Sequence, residues 1–136
     1  MYETLIVPVD VSNADKAAVM LDTAERLGGK SGKIVLVNII EAIPSYVAVQ
    51  IPAEVGERVK AAAIEELSRI AKSTTLDTEI EVRSGHASQG ILTVADEKNA
   101  DAIIIASHRP SFEDYLLGST ASRVVRHANC SVVVVR

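Results

Sequence analysis

Short runs of β-branched aliphatic residues alternate with helix-length amphipathic stretches along all 136 residues, and this alternation constrains the fold more than any other feature. Thr4 to Val9, Lys33 to Ile40, Ala102 to Ala106 and Ser131 to Val135 are mostly apolar, the pattern of parallel strands covered on both faces. Pro8 marks where pairing of the first strand ends. Thr78 to Arg83 instead alternates Thr78, Ile80 and Val82 with Glu79, Glu81 and Arg83, which predicts a half-exposed edge strand. Between the strands, a helix capped by Ser12 or Asn13 runs to about Leu27, with Ala14, Ala17, Leu21 and Ala24 inward and Gly28-Gly29 as its stop. A second helix spans about Ala53 to Lys72, with Val55, Val59, Ala63, Leu67 and Ile70 as its buried stripe. Ser88 to Lys98 is a third, with Ile91, Leu92 and Ala95 inward, and Ser119 to His127 a fourth. Right-handed crossovers turn this string into an α/β fold: a three-layer, doubly wound, five-stranded parallel sheet with four helices, filling residues 1–136 as one domain.

Composition narrows the function. With 48% hydrophobic residues, one Phe and no Trp, the core must be built from Val, Ile, Leu and Ala. A net charge of -4 and a pI near 5.3 argue against nucleic acid, whose phosphates call for a basic face. The single Cys130 excludes an internal disulfide and suits a reducing cytoplasm. No apolar run is long enough for a membrane helix, so a soluble cytoplasmic protein without membrane insertion is expected. The segment Glu41 to Pro52 is unusually apolar for a connection (Tyr46, Val47, Val49, Ile51) and reads as a lid or contact surface.

In a doubly wound sheet, ligands lie beyond the carboxyl ends of the strands, where the winding direction reverses. Here the reversal falls between strands one and four, so Pro8-Val9-Asp10 and Ala106-Ser107-His108-Arg109 should face each other across one crevice. Gly118-Ser119-Thr120-Ala121 opens the following helix at the same place, offering amides, two hydroxyls and the positive end of a helix dipole to a phosphate. Asp10 suits ribose hydroxyls or a divalent ion; its plainer reading is a turn residue or helix cap. Gly-Ser-Thr is also a routine helix start. Neither GxxxxGK[ST] nor GxGxxG occurs, nor do GxSxG, CxxC or HExxH. Ser107 and His108 are strand neighbours that point to different sides, so they are no nucleophile–base pair. His86, His127 and Cys130 lack metal-ligand spacing, and no side chain is singled out as catalytic or metal-binding.

Val132 to Val135, guarded only by Arg136, form an edge strand that is a pairing hazard for a monomer. A homodimer through Ser131–Val135 is therefore expected, a short and self-sufficient strand being the alternative.

Together these segments resemble the universal stress protein family. The likeness rests on Ile6-Val-Pro-Val-Asp10, on Gly85, Ile91, Ala95 and Asp101-Ala-Ile-Ile-Ile, and above all on Leu116-Leu-Gly-Ser-Thr-Ala, Val124-Val-Arg-His-Ala and Cys130-Ser-Val-Val-Val-Val. Ala106-Ser-His-Arg-Pro110 is similar to the small F/G-type branch. The resemblance implies dimers through the last strand, further assembled into tetramers in some members, and ATP binding in a subset that carries G-x-x-G-x9-G-[ST]. Carried over, the glycines fall on Ala106, Arg109 and Gly118, with Ser119 as the hydroxyl partner. Two glycines are thus replaced, and eight residues rather than nine separate Arg109 from Gly118. Arg109 forfeits the close backbone approach of glycine but brings a guanidinium suited to phosphate. By the same resemblance Ile39 lies against adenine, and ATP (or ADP or AMP) binds with Mg2+ or Mn2+. The expected protein is a nucleotide-responsive stress regulator with at most slow hydrolysis. Its rivals are a nucleotide-free dimeric interaction module, a weak ATPase or phosphotransferase and, more distantly, a flavin-binding module.

Overall fold

Alternate residues of each central strand are apolar, and the fold gives each set its own helical layer. The computed structural model describes residues 2–41, 45–107 and 118–136. Strands β1 (Thr4–Pro8), β2 (Lys33–Glu41), β3 (Asp77–Gly85), β4 (Ala102–Ala106) and β5 (Ser131–Val135) form one parallel sheet in the order β3-β2-β1-β4-β5. Helices α1 (Ala17–Gly28) and α3 (Ala53–Ala71) cover Leu5, Val7, Ile34, Leu36 and Ile104 on one face. Helices α4 (Ala87–Glu97) and α5 (Ser119–His127) cover Ile6, Val35, Val37, Ile103 and Ile105 on the other. A single helical turn, α2 (Ser45–Ala48), precedes α3. The three-layer α/β architecture and its four long helices are as the sequence predicts.

Several expected details shift. The first helix does not start at Ser12 or Asn13: a 3-10 helix, Val11–Lys16, comes first, and α1 begins at Ala17 without a side-chain cap. Its end is as expected, with Gly29 at φ 61° donating its amide to Glu25 O at 3.0 Å, in a conformation glycine adopts without Cβ strain. The stripe predicted for α3 is buried only in its second half, at Ala63, Leu67 and Ile70. Val55 and Val59 stay 41% and 45% exposed, as an amphipathic stripe must where a helix outruns the layer it covers. On α4, Val94 is fully buried while Leu92 is half-buried, and on α1 Met20 joins the core while Ala14 is half-buried. The segment read as a lid contains α2; residues 42–44 lie outside the described residues, and Tyr46 and Val49 are exposed.

At the opposite end of the sheet from the strand exits, Asp101 ties β4 to β1 by accepting the amides of Glu3 and Thr4, each at 2.8 Å. Edge strand β3 carries an ion-pair network. Lys33 contacts Glu79 at 2.7 Å, Lys98 pairs with Glu79 and Glu81, and Arg83 joins Glu81 (2.9 Å) to Glu97 (2.8 Å). Hydrogen bonds from Lys33 and Lys98 hold the Glu79 carboxyl at about 2, against an ordinary 4.5. A depressed carboxyl pKa stabilises above the unfolded value and loses that contribution as pH falls through the folded one. Solvent screening at this partly exposed edge limits the effect to about 1 kcal/mol. Stability to urea is thus expected to fall between pH 4.5 and about 2 in the native chain, and to fall less in Glu79→Gln. Equal slopes for the two proteins would show that the network contributes nothing.

Candidate functional site

Hydrogen bonding opens a gap between β1 and β4 at their carboxyl ends. The Val9 amide donates to Val37 O at 2.8 Å, towards β2, so the neighbouring Pro8 nitrogen faces β4. That nitrogen carries no hydrogen. Pairing of β1 with β2 runs from Thr4 to Pro8, whereas the β1–β4 register covers only Leu5↔Ala102 and Ile6↔Ile103. Pro8 thus ends pairing on one side of its strand only. The two strands part there, at the reversal point of the sheet.

The gap holds a cavity of about 440 Å³, walled by both strand exits, by β2 and by the start of α5. Pro8, Val9 and Asp10 enter it from β1, Ile39 from β2, Ala106 and Ser107 from β4, and Thr120 and Ala121 from α5. Eight of the twelve residues singled out from sequence are therefore brought together. Gly118 and Ser119 begin α5 but are not part of the cavity wall, and His108 and Arg109 lie outside the described residues. Gly118 accepts the Ser122 amide at 2.9 Å as the first helical bond. The amides of Ser119, Thr120 and Ala121 find no acceptor among the described residues, and they stand at the positive end of the α5 dipole.

Sequence reasoning missed three residues that shape the wall. Asn38, 7% exposed, donates from its side-chain amide to Val9 O at 2.9 Å and so fixes the backbone that presents Asp10. Its signal was a lone Asn in an apolar strand, which in a buried setting demands a partner. Asn38→Leu leaves the Val9 carbonyl without that donor, and a loss of about 1–3 kcal/mol is expected in urea denaturation. An unchanged midpoint would mean that the bond does not hold the β1 exit. Gly90 lies so close to Ile39 that a Cβ there would stand 2.5 Å from Ile39 Cδ1. Ile39 can pack flat on α4 only because position 90 has no side chain. Lys16, in the turn before α1, lines the same cavity as Asp10, Asp15 and Glu41.

Elsewhere, no group of three or more His, Cys, Asp or Glu among the described residues is placed to hold a metal ion. Cys130 is half-buried; burial, then Asp96 and Asp101, push its thiol pKa up, which keeps it protonated and unreactive. No described helix is long and apolar enough to cross a membrane.

A parallel five-stranded sheet with its cavity at the β1/β4 reversal defines the class of Rossmann-like α/β proteins with the site geometry of nucleotide binders. Comparison with known proteins places the chain within that class: the universal stress protein family matches residues 1–136, and the chain belongs to that family. It is 34% identical to universal stress protein G of Escherichia coli O157:H7, with 100% of each chain covered. Among solved structures, MJ0577 superposes with a TM-score of 0.83 at 21% identity, over 99% of this chain and 96% of that one. A universal stress protein from Archaeoglobus fulgidus in complex with dAMP gives 0.68 at 24% identity, over 99% and 98%. A universal stress protein in complex with cAMP gives 0.67 at 20%, over 99% and 97%. At these identities the structural likenesses speak for the fold.

Proposed function

We propose that the β1/β4 crevice binds an adenine nucleotide, with ATP and Mg2+ or Mn2+ as the expected ligand and ADP or AMP as its lesser forms. The observation that carries this reading is the convergence of Asp10, Ile39, Ser107, Thr120 and Ala121 on one cavity of about 440 Å³, a volume ordinary for a small-molecule site. Asp10 would meet the ribose and Ile39 the adenine. Ser107, Arg109, Ser119 and Thr120 would take the phosphates together with the amides at the start of α5, with His108, Gly118 and Ala121 as the remaining residues of the site. Relatives solved with cAMP and with dAMP support an adenine nucleotide as the ligand class. The protein would act as a cytoplasmic, nucleotide-responsive stress regulator of one domain, residues 1–136. It would work as a homodimer through β5, with a tetramer as the larger assembly, and would hydrolyse ATP slowly if at all.

The exposed apolar residues Tyr46, Val49, Val55 and Val59 favour a second reading, a nucleotide-free interaction module. Denaturing freshly purified protein, identifying any released nucleotide by mass spectrometry, and titrating the stripped protein with ATP and Mg2+ by calorimetry separates the two. Released nucleotide near one per chain, or saturable rebinding, is expected. No released nucleotide and no heat at millimolar ATP would leave the interaction module as the better reading.

A further inference from the structure

Lys16 ends the 3-10 turn Val11–Lys16, stands at the N-cap position of α1 and is half-buried in the cavity wall. Three carboxylates, Asp10, Asp15 and Glu41, line the same cavity. A lysine among carboxylates ordinarily pairs with one of them, as Lys33 and Lys98 do with Glu79 on β3. Lys16 makes no ion pair or hydrogen bond with the described residues, so its ammonium stays available to a ligand. Among the described residues of the wall it is the one cation.

Two further donors open onto this cavity. Ser107, a residue 6% exposed, lines the cavity, and its hydroxyl has no hydrogen-bond partner among the described residues. The amides of Thr120 and Ala121 have no acceptor among the described residues. An ammonium, a serine hydroxyl and helix-terminal amides are donors without an acceptor among the described residues, and the ligand group that satisfies all three is an oxyanion. The carboxylates make the cation necessary, because without it the described wall would repel that group.

We infer that Lys16 is the residue that fixes the ligand's phosphate and makes the crevice select a nucleotide over the bare nucleoside. This rests on the adenine-nucleotide reading of the crevice. It assigns to Lys16 part of the phosphate contact that the missing glycines at Ala106 and Arg109 would otherwise have supplied.

The test titrates AMP, ATP with Mg2+, and adenosine into the stripped native chain and into Lys16→Gln and Lys16→Arg. Chemical-shift perturbation reads affinities into the millimolar range, and thermal melts without ligand check folding. Lys16→Gln is expected to weaken AMP and ATP binding roughly tenfold or more, the scale of a lost charge-assisted contact, and to leave adenosine unchanged. Lys16→Arg should restore most of the loss. Equal affinities of Lys16→Gln and the native chain for AMP would overturn the inference while leaving the crevice reading intact. A parallel loss for adenosine would also overturn it, since Lys16 would then be shaping the pocket rather than reading phosphate. A native chain that binds none of the three ligands would sink the crevice reading itself, and this inference with it.

Discussion

Ile104→Ala is expected to remove about 2–5 kcal/mol of stability, much of what a domain of this size possesses. Ile104 is fully buried at the middle of β4, the strand that lies between β1 and β5, and packs into the layer that α1 covers. Strand β4 has five residues, and Leu5, Val7 and Leu36 in the same core layer are themselves branched and fully buried, so the wall cannot collapse to fill the void. The loss should appear in urea as a lower midpoint with an unchanged slope. Because β4 delivers Ala106 and Ser107 to the cavity, ligand affinity should fall as well. A loss below about 1 kcal/mol would show that β4 is not the core strand described here.

Val134→Pro is expected to separate the proposed dimer while sparing the protomer. The Ser131 amide donates to Asp101 O at 3.3 Å and Val135 O accepts from Ser107 at 2.8 Å, so Ser131, Val133 and Val135 turn their backbone groups towards β4. Val132 and Val134 therefore turn theirs outward, along the open edge of the sheet. Proline at 134 deletes an outward N–H only, and edge positions tolerate it. With two-fold pairing each protomer loses one bond. Two bonds at about 1 kcal/mol each correspond to a roughly thirtyfold weaker dimer. Analytical ultracentrifugation should find Val134→Pro monomeric at concentrations where the native chain is dimeric, with thermal melting little changed. Val133→Pro should instead break the β4 ladder and unfold the protein. A Val134→Pro chain that remains dimeric would move the interface away from β5.

The strand cores, the parallel class, the edge position of β3 and the start of α5 were legible because each depends on local periodicity. The β3 alternation of Thr78, Ile80 and Val82 with Glu79, Glu81 and Arg83 is such a signal, since a strand with one polar face announces itself in any context. Helix starts were less legible. Ser12 and Asn13 are good caps by residue type, yet the chain takes a 3-10 path to Lys16 and presents that residue to the cavity. Val55 and Val59 carry the same 3.6-residue period as Leu67, and the period alone does not tell where the covered layer ends.

The residue pattern alone thus carried the five strands and four long helices, the reversal between β1 and β4, and seven residues of the crevice wall, while Ile39 came from the family resemblance. Short-range patterning and the handedness of crossovers suffice for these. The packing of the layers was needed to show that Asn38 holds the β1 exit, that Gly90 makes room for Ile39, and that Lys16 lines the cavity without an ion pair to the described residues. The first two facts belong to pairs of residues far apart in the chain. Whether a buried polar or charged group has a partner is fixed when the layers close, not by the residues beside it in sequence.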